Sequence, residues 1–165
     1  MAVHLAQVNI GRIRGPLDGP VMAGLVNRLD EVNSLAERSP GFVWRLQTPA
    51  GNATYLRPYD DDRILVNMSV WESVEQLTAY VYGGAHREVL QQRREWFEKF
   101  ESVFLALWWI PAGHRPSVDE AKKRIAHLAE KGATPYAFSF REPFPPDQAL
   151  IEATDWSSFE PCPAS

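Results

Sequence analysis

From Val3 to Ile10 the chain alternates in the two-residue rhythm of a strand with unlike faces. Gly11 to Gly19, with Pro16 and Asp18, is a turn-rich connection. Val21, Leu25, Leu29, Val32 and Leu35/Ala36 then recur at helical spacing until Ser39-Pro40-Gly41 stops them. Phe42 to Gln47 reads as a second strand. A loop over residues 48–62, rich in Pro and Gly and ending in Asp60-Asp61-Asp62, separates it from a third strand, Arg63 to Trp71. Ser73-Val74-Glu75-Gln76 is a capping box that opens a helix with Val74, Leu77 and Val81 on one side, and Gly83-Gly84 breaks or kinks it.

A second helical piece runs from about Ala85 to Phe100, and Val103 to Ile110 forms a fourth strand closed by the turn residues 111–116. Ser117 is placed to cap a third helix, with Glu120 at the capping-box position, Ala121, Ile125 and Leu128 on its apolar side and Gly132 at its end. Tyr136 to Arg141 reads as a fifth strand. The order β-α-β-β-α-β followed by α-β predicts an α+β fold: a ferredoxin-like antiparallel sheet covered by helices on one face, with an extra C-terminal helix and strand. Residues 1–141 then form a single ferredoxin-like domain. Residues 142–165, with Pro143, Pro145, Pro146, Pro161 and Pro163, form a C-terminal extension.

Alternation also sorts each strand into two faces. Ala6, Val8 and Ile10; Phe42, Trp44 and Leu46; Ile64, Val66, Met68 and Val70; Phe104, Ala106, Trp108 and Ile110; and Phe138 and Phe140 make one wholly apolar face, expected against the helices. The other carries Gln7, Asn9, Arg45, Gln47, Asn67, Ser69, Trp71, Ser139 and Arg141 mixed with Val3, Leu5, Leu65, Leu105, Leu107 and Trp109. An antiparallel sheet can simply wet its second face. Amides, two arginines, leucines and tryptophans in place of Lys, Glu and Thr point instead to a half-buried cavity or a dimer interface.

His86, Val89, Leu90, Arg93, Trp96, Phe97 and Phe100 fall on one broad helical stripe. His86 and Arg93 therefore lie among core-facing residues, where His86 is either a satisfied core histidine or a proton shuttle near the first turn of its helix, and Arg93 either reaches to the rim or contacts a ligand.

Composition narrows the classes. With 45% hydrophobic and 23% charged residues the chain is of globular type, and no apolar run is long enough for a signal-peptide core or a membrane span, so a cytoplasmic location is expected. Cys162 is the single cysteine, which removes an intramolecular disulfide and a cysteine zinc site. A net charge of -4 with scattered Lys and Arg gives no stripe for nucleic acid. P-loop, dinucleotide, HExxH and nucleophile-elbow motifs are absent. Asp60-Asp61-Asp62 is read as a solvated turn, and His4, His86, His114 and His127 lack metal-ligand spacing, so no metal is expected.

Three segments, Ser39-Pro40-Gly41-Phe42-Val43-Trp44-Arg45-Leu46-Gln47, Asn67-Met68-Ser69-Val70-Trp71-Glu72-Ser73 and Trp108-Trp109-Ile110-Pro111-Ala112-Gly113-His114, together resemble an uncharacterised bacterial family known as a domain of unknown function. That family is placed in the dimeric α+β barrel superfamily beside the antibiotic-biosynthesis monooxygenases, and the resemblance covers the chain to about Phe140. It implies a homodimer in which two sheets pack face to face and the mixed face turns inward. Members of the superfamily include cofactor-free oxygenases, haem proteins and stress-response domains, so no single chemistry and no catalytic residue transfers.

The residues themselves lead to an enzyme acting on a small organic molecule held between sheet and helices, by oxygenase-like or acid-base chemistry. In that reading His86, Arg45 and Asn67 are the catalytic candidates. Asn9, Gln47, Trp71, Arg93, Trp96, Trp109, His114 and Arg141 are the substrate-binding ones. No cofactor is called for, although a haem would take His86 or His114 as axial ligand. The alternative is a non-catalytic ligand-binding or structural dimer whose polar residues satisfy one another.

Overall fold

The computed structural model describes residues 2–47 and 59–159. Its centre is β1 (Val3–Arg12), which pairs antiparallel with β3 (Ile64–Trp71) on one side and β4 (Leu105–Pro111) on the other. The short β2 (Phe42–Arg45) adds to the free side of β3, giving a four-stranded sheet in the order β2-β3-β1-β4. With α1 (Ala23–Arg38) between β1 and β2, and α2 (Val74–Val81) and α3 (Gly84–Trp96) between β3 and β4, this is the ferredoxin-like arrangement. The α+β class predicted from the sequence is the class observed.

Local chemistry explains the boundaries. The Ser73 hydroxyl accepts from the Gln76 amide and starts α2, and the Ser117 hydroxyl does the same for Glu120 at the start of α4 (Val118–Lys131). Gly84, at φ +50°, takes the left-handed turn that separates α2 from α3, and Gly132, at φ +76°, ends α4. The second helical piece is shorter than expected: α3 stops at Trp96, and Phe97 is extended and bridges Ile13. Gly11 makes room for that bridge, since a Cβ there would stand 2.5 Å from the Phe97 ring.

The fifth strand expected over residues 136–141 is not formed. Phe138 makes a single bridge to Leu107, donating to and accepting from its backbone at 2.9 Å and 2.8 Å, while Thr134 and Ala137 close a tight turn. Pro143, Pro145 and Pro146 lack the amide hydrogens a longer ladder needs. The chain then folds back along β4 through α5 (Gln148–Ala153), burying Ile151, and ends its described course in a 3-10 turn at Trp156–Ser158.

Both faces of the sheet are covered, by different helices. Ala6, Val8, Met68, Val70, Ala106, Trp108 and Ile110 pack with Ala121 and Ile125, so the wholly apolar face lies under α4, the extra C-terminal helix. The mixed face lies under α1, α2 and α3: Leu5, Trp71 and Leu107 pack with Ala36 of α1 and Leu77 of α2, and Leu65 packs with Leu25 of α1 and Trp96 of α3. The mixed face thus turns toward helices of its own chain, where the resemblance implied the interior of a two-sheet barrel. Alternation separates the two faces but is silent on which helix crosses to which side. Phe104, assigned to the apolar face, is 38% exposed.

Candidate functional site

The mixed face and the three helices above it enclose a cavity of about 970 Å³. Its floor is polar because the register of β1 and β3 sets Gln7 opposite Ser69 and Asn9 opposite Asn67. Gln7 Nε2 donates to Ser69 Oγ at 2.8 Å and to Asn67 Oδ1 at 2.9 Å, and Asn9 Nδ2 donates to Gln7 Oε1 and to Asn67 Oδ1, both at 3.2 Å. Trp71 Nε1, on the same face, anchors one end of the row by donating to Ser69 Oγ at 2.8 Å. Asn67 Oδ1 and Ser69 Oγ thus each accept two hydrogen bonds. The side-chain groups with no protein partner among the described residues include Asn67 Nδ2, a double donor, and Asn9 Oδ1. Asn67 is exposed and lines the cavity, so its amide is available to an acceptor there.

Helix α3 lays two ionisable groups along the cavity. His86, in its first turn, donates from Nδ1 to the Val81 carbonyl at 2.9 Å, because a carbonyl can only accept. Burial pushes the His86 pKa below 6.5, against the opposing pull of hydrogen bonds to the Val81 and His86 backbone. His86 is therefore a neutral imidazole at pH 7 with its proton held on Nδ1 and a lone pair on Nε2. Its ring centre lies 4.8 Å from that of Tyr80, which stacks at 5.1 Å on Trp71. Tyr80 donates to the Val32 carbonyl at 3.0 Å, and burial raises its pKa, so the phenol stays protonated.

The arginines differ in their partners. Arg45 is held by Glu37 at 2.8 Å, and Arg28, which also lines the cavity, bridges α1 to α3 through Glu88 at 2.8 Å. Arg93 meets no carboxylate within ion-pair distance among the described residues. It reaches the Ile10 carbonyl at 3.3 Å, and its guanidinium lies 4.8 Å and 5.1 Å from the ring centres of Phe97 and Phe104.

Of the residues proposed from the sequence, the cavity brings together His86, Arg45, Asn67, Asn9, Arg93 and Trp96, with Arg141 exposed at its rim. The other four lie elsewhere. Trp71 is fully buried and supports the floor without lining it. Gln47 follows the end of β2 and is not in the wall, and Trp109 turns away to donate to the Phe144 carbonyl at 2.8 Å. His114 is on the α4 side, bonded to Glu120 Oε2 at 2.8 Å and tilted against Trp156, so no axial ligand to a group in this cavity comes from it. Tyr80 was missed, and Gln7 and Ser69, placed on the mixed face, were not named as site residues although they line the cavity. Those two share the strand phase of Asn9 and Asn67, and Tyr80 falls on the Leu77/Val81 side of α2, so the signal was periodicity alone. Among the described residues no group of three or more His, Cys, Asp or Glu is arranged to hold a metal, and no helix is long and apolar enough to cross a membrane.

Fold and cavity together define an α+β protein of ferredoxin-like topology with a small-molecule-sized pocket between its sheet and helices. The chain belongs to the family described as a domain of unknown function (DUF3291), which matches residues 4–154. No curated protein sequence matches significantly. Among solved structures the chain is similar to SnoaB, described as a cofactor-independent oxygenase from Streptomyces nogalater, at a TM-score of 0.46 and 19% identity over 65% of this chain and 92% of that one. It is similar also to a conserved protein from Methanosarcina mazei Go1, at 0.47 and 9% identity over 67% and 93%, and to a protein of unknown function from Nitrosomonas europaea, at 0.44 and 9% over 70% and 94%.

Proposed function

We propose that the cavity is the active site of a small-molecule enzyme in which His86 Nε2 removes a proton from its substrate and Asn67 Nδ2 donates to the oxygen on which negative charge develops. The observation that carries this reading is the His86 geometry: a neutral ring whose tautomer is fixed by the Val81 carbonyl, standing in the wall of a cavity with a free amide donor on its floor. A carbon or oxygen acid beside a carbonyl suits these two groups, the proton passing to Nε2 and the electron pair to the carbonyl oxygen. Reaction of the resulting anion with dioxygen would make the enzyme oxygenase-like; reprotonation at a different atom would make it an isomerase. A non-catalytic binding role is favoured by one observation, the mutual satisfaction of Gln7, Asn9, Asn67 and Ser69.

Deuterium exchange separates the two. A panel of phenols and keto acids is incubated in D2O with wild type and His86→Ala, with mass spectrometry and an oxygen electrode as readouts. Exchange or oxygen uptake lost about a hundredfold or more in the variant supports the base; a panel member that binds but neither exchanges nor consumes oxygen leaves a binding protein. A Soret band on haem addition that His86→Ala abolishes would replace both with a haem site. Pairing with a second copy is a separate part of this proposal, and a monomer in light scattering at micromolar concentration removes it.

A further inference from the structure

Four arginines line the cavity, Arg28, Arg45, Arg93 and Arg141, and of the three that are not exposed at its rim only Arg93 lacks a carboxylate partner among the described residues. Arg28 has Glu88 and Glu31, and Arg45 has Glu37. Arg93 has none among the described residues, although burial lowers its pKa and so sets a cost on its charge. Its flat guanidinium lies near two aromatic rings, Phe97 and Phe104. One N–H donates to the Ile10 carbonyl, which leaves four of the roughly five donors of a guanidinium unspent. Glu101 also lines the cavity, but it is exposed and beyond ion-pair distance of Arg93. Arg141, at the rim, is exposed, so its charge stays in solvent and carries little cost.

We propose that Arg93 is the anchor for a carboxylate, and that the cavity takes an amphipathic organic acid whose apolar body runs along α3 from Arg93 toward His86. The geometry gives a ruler. Arg93 and His86 are seven residues apart on one side of α3, about 10 Å along an axis that rises roughly 1.5 Å per residue. Between them the wall is apolar, from Val89 and Leu90 on α3 and Leu29 on α1. A carboxylate meets the guanidinium edge in two parallel hydrogen bonds, which a neutral amide cannot reproduce. The direction toward His86 rests on the proposed function; the charge at Arg93 does not.

Octanoate and octanamide test this, since they differ in charge at one end and share a tail of suitable length. Calorimetric titration of the wild type is expected to show octanoate binding about tenfold or more tightly than octanamide, the worth of a charge-assisted hydrogen bond. Arg93→Gln equalises the two, and Arg93→Lys, which keeps the charge but not the fork, retains part of the preference. His86→Ala leaves the preference intact, so failure of the proton-transfer reading does not disturb this one. Equal binding by wild type, a preference that survives Arg93→Gln, or no octanoate binding at millimolar concentration overturns it. Should Arg93→Gln not fold, the wild-type comparison and Arg93→Lys still decide.

Discussion

Each face of the sheet carries a histidine and an arginine, and the two pairs are treated in opposite ways. Beneath α4, His114 and Arg124 share one carboxylate: Glu120, fully buried, accepts from Trp108 Nε1 at 2.9 Å, bonds His114 Nε2 at 2.8 Å and lies 3.8 Å from Arg124. Arg124 also donates to the Tyr136 carbonyl at 2.8 Å and lies over the Tyr136 ring at 3.8 Å, although its Nε and Nη2 find no acceptor. Beneath α3, His86 and Arg93 have backbone carbonyls and aromatic rings but no acid among the described residues, and they border open volume. The first cluster is closed by the chain's own charge and serves the fold. The second is left open, and the proposed carboxylate would close it.

The largest expected contrast is in stability. Glu120→Ala leaves a buried guanidinium without its counter-charge and should cost about 3–5 kcal/mol in urea unfolding, whereas Arg93→Gln should cost under about 1 kcal/mol by the same measure. Equal losses would erase the distinction between the clusters. Gly11→Ala comes next: the added carbon meets the Phe97 ring, so about 1–3 kcal/mol is expected, together with weaker octanoate binding as the ring beside Arg93 is displaced. Trp109→Phe removes the donor to the Phe144 carbonyl and should cost about 1 kcal/mol with no effect on octanoate, since that contact only ties the C-terminal segment to β4.

The smallest effect is one of pH. The folded pKa of His86 is depressed, so the unfolded chain takes up the proton first as pH falls below 6.5. The stability gained by keeping the ring neutral is full above that pH and is lost as pH falls toward the folded pKa. His86→Phe should flatten this part of the stability curve; His127, whose pKa is also lowered by burial and nearby cations, contributes a remaining slope. An unchanged slope would mean that His86 is not buried neutral.

Strands, caps and helix starts were legible because they rest on neighbours in sequence: Ser73 and Ser117 cap as their spacing required. So was the existence of two unlike sheet faces. What periodicity could not convey was that α4 crosses to the apolar side, that β1 and β3 align Gln7 with Ser69, or that Glu37 and Glu88 neutralise Arg45 and Arg28 while Arg93 is left alone. Those are contacts between residues far apart in the chain. For the same reason His114, beside a pocket-like motif in sequence, turned out to belong to the closed side, and the Trp109 indole turned out to bond the segment after β4.

The tryptophans offer the most direct test, because Trp96 lines the open cavity and Trp108 is fully buried beside Glu120. Nitrogen-15 spectra of the indole groups, assigned with Trp96→Phe and Trp108→Phe, are followed during titration with octanoate. A shift of the Trp96 indole that saturates while Trp108 stays in place is the predicted result. Movement of Trp108 with Trp96 unmoved, or no saturable change at either, would contradict the division of the sheet into a closed face and a ligand-receiving one.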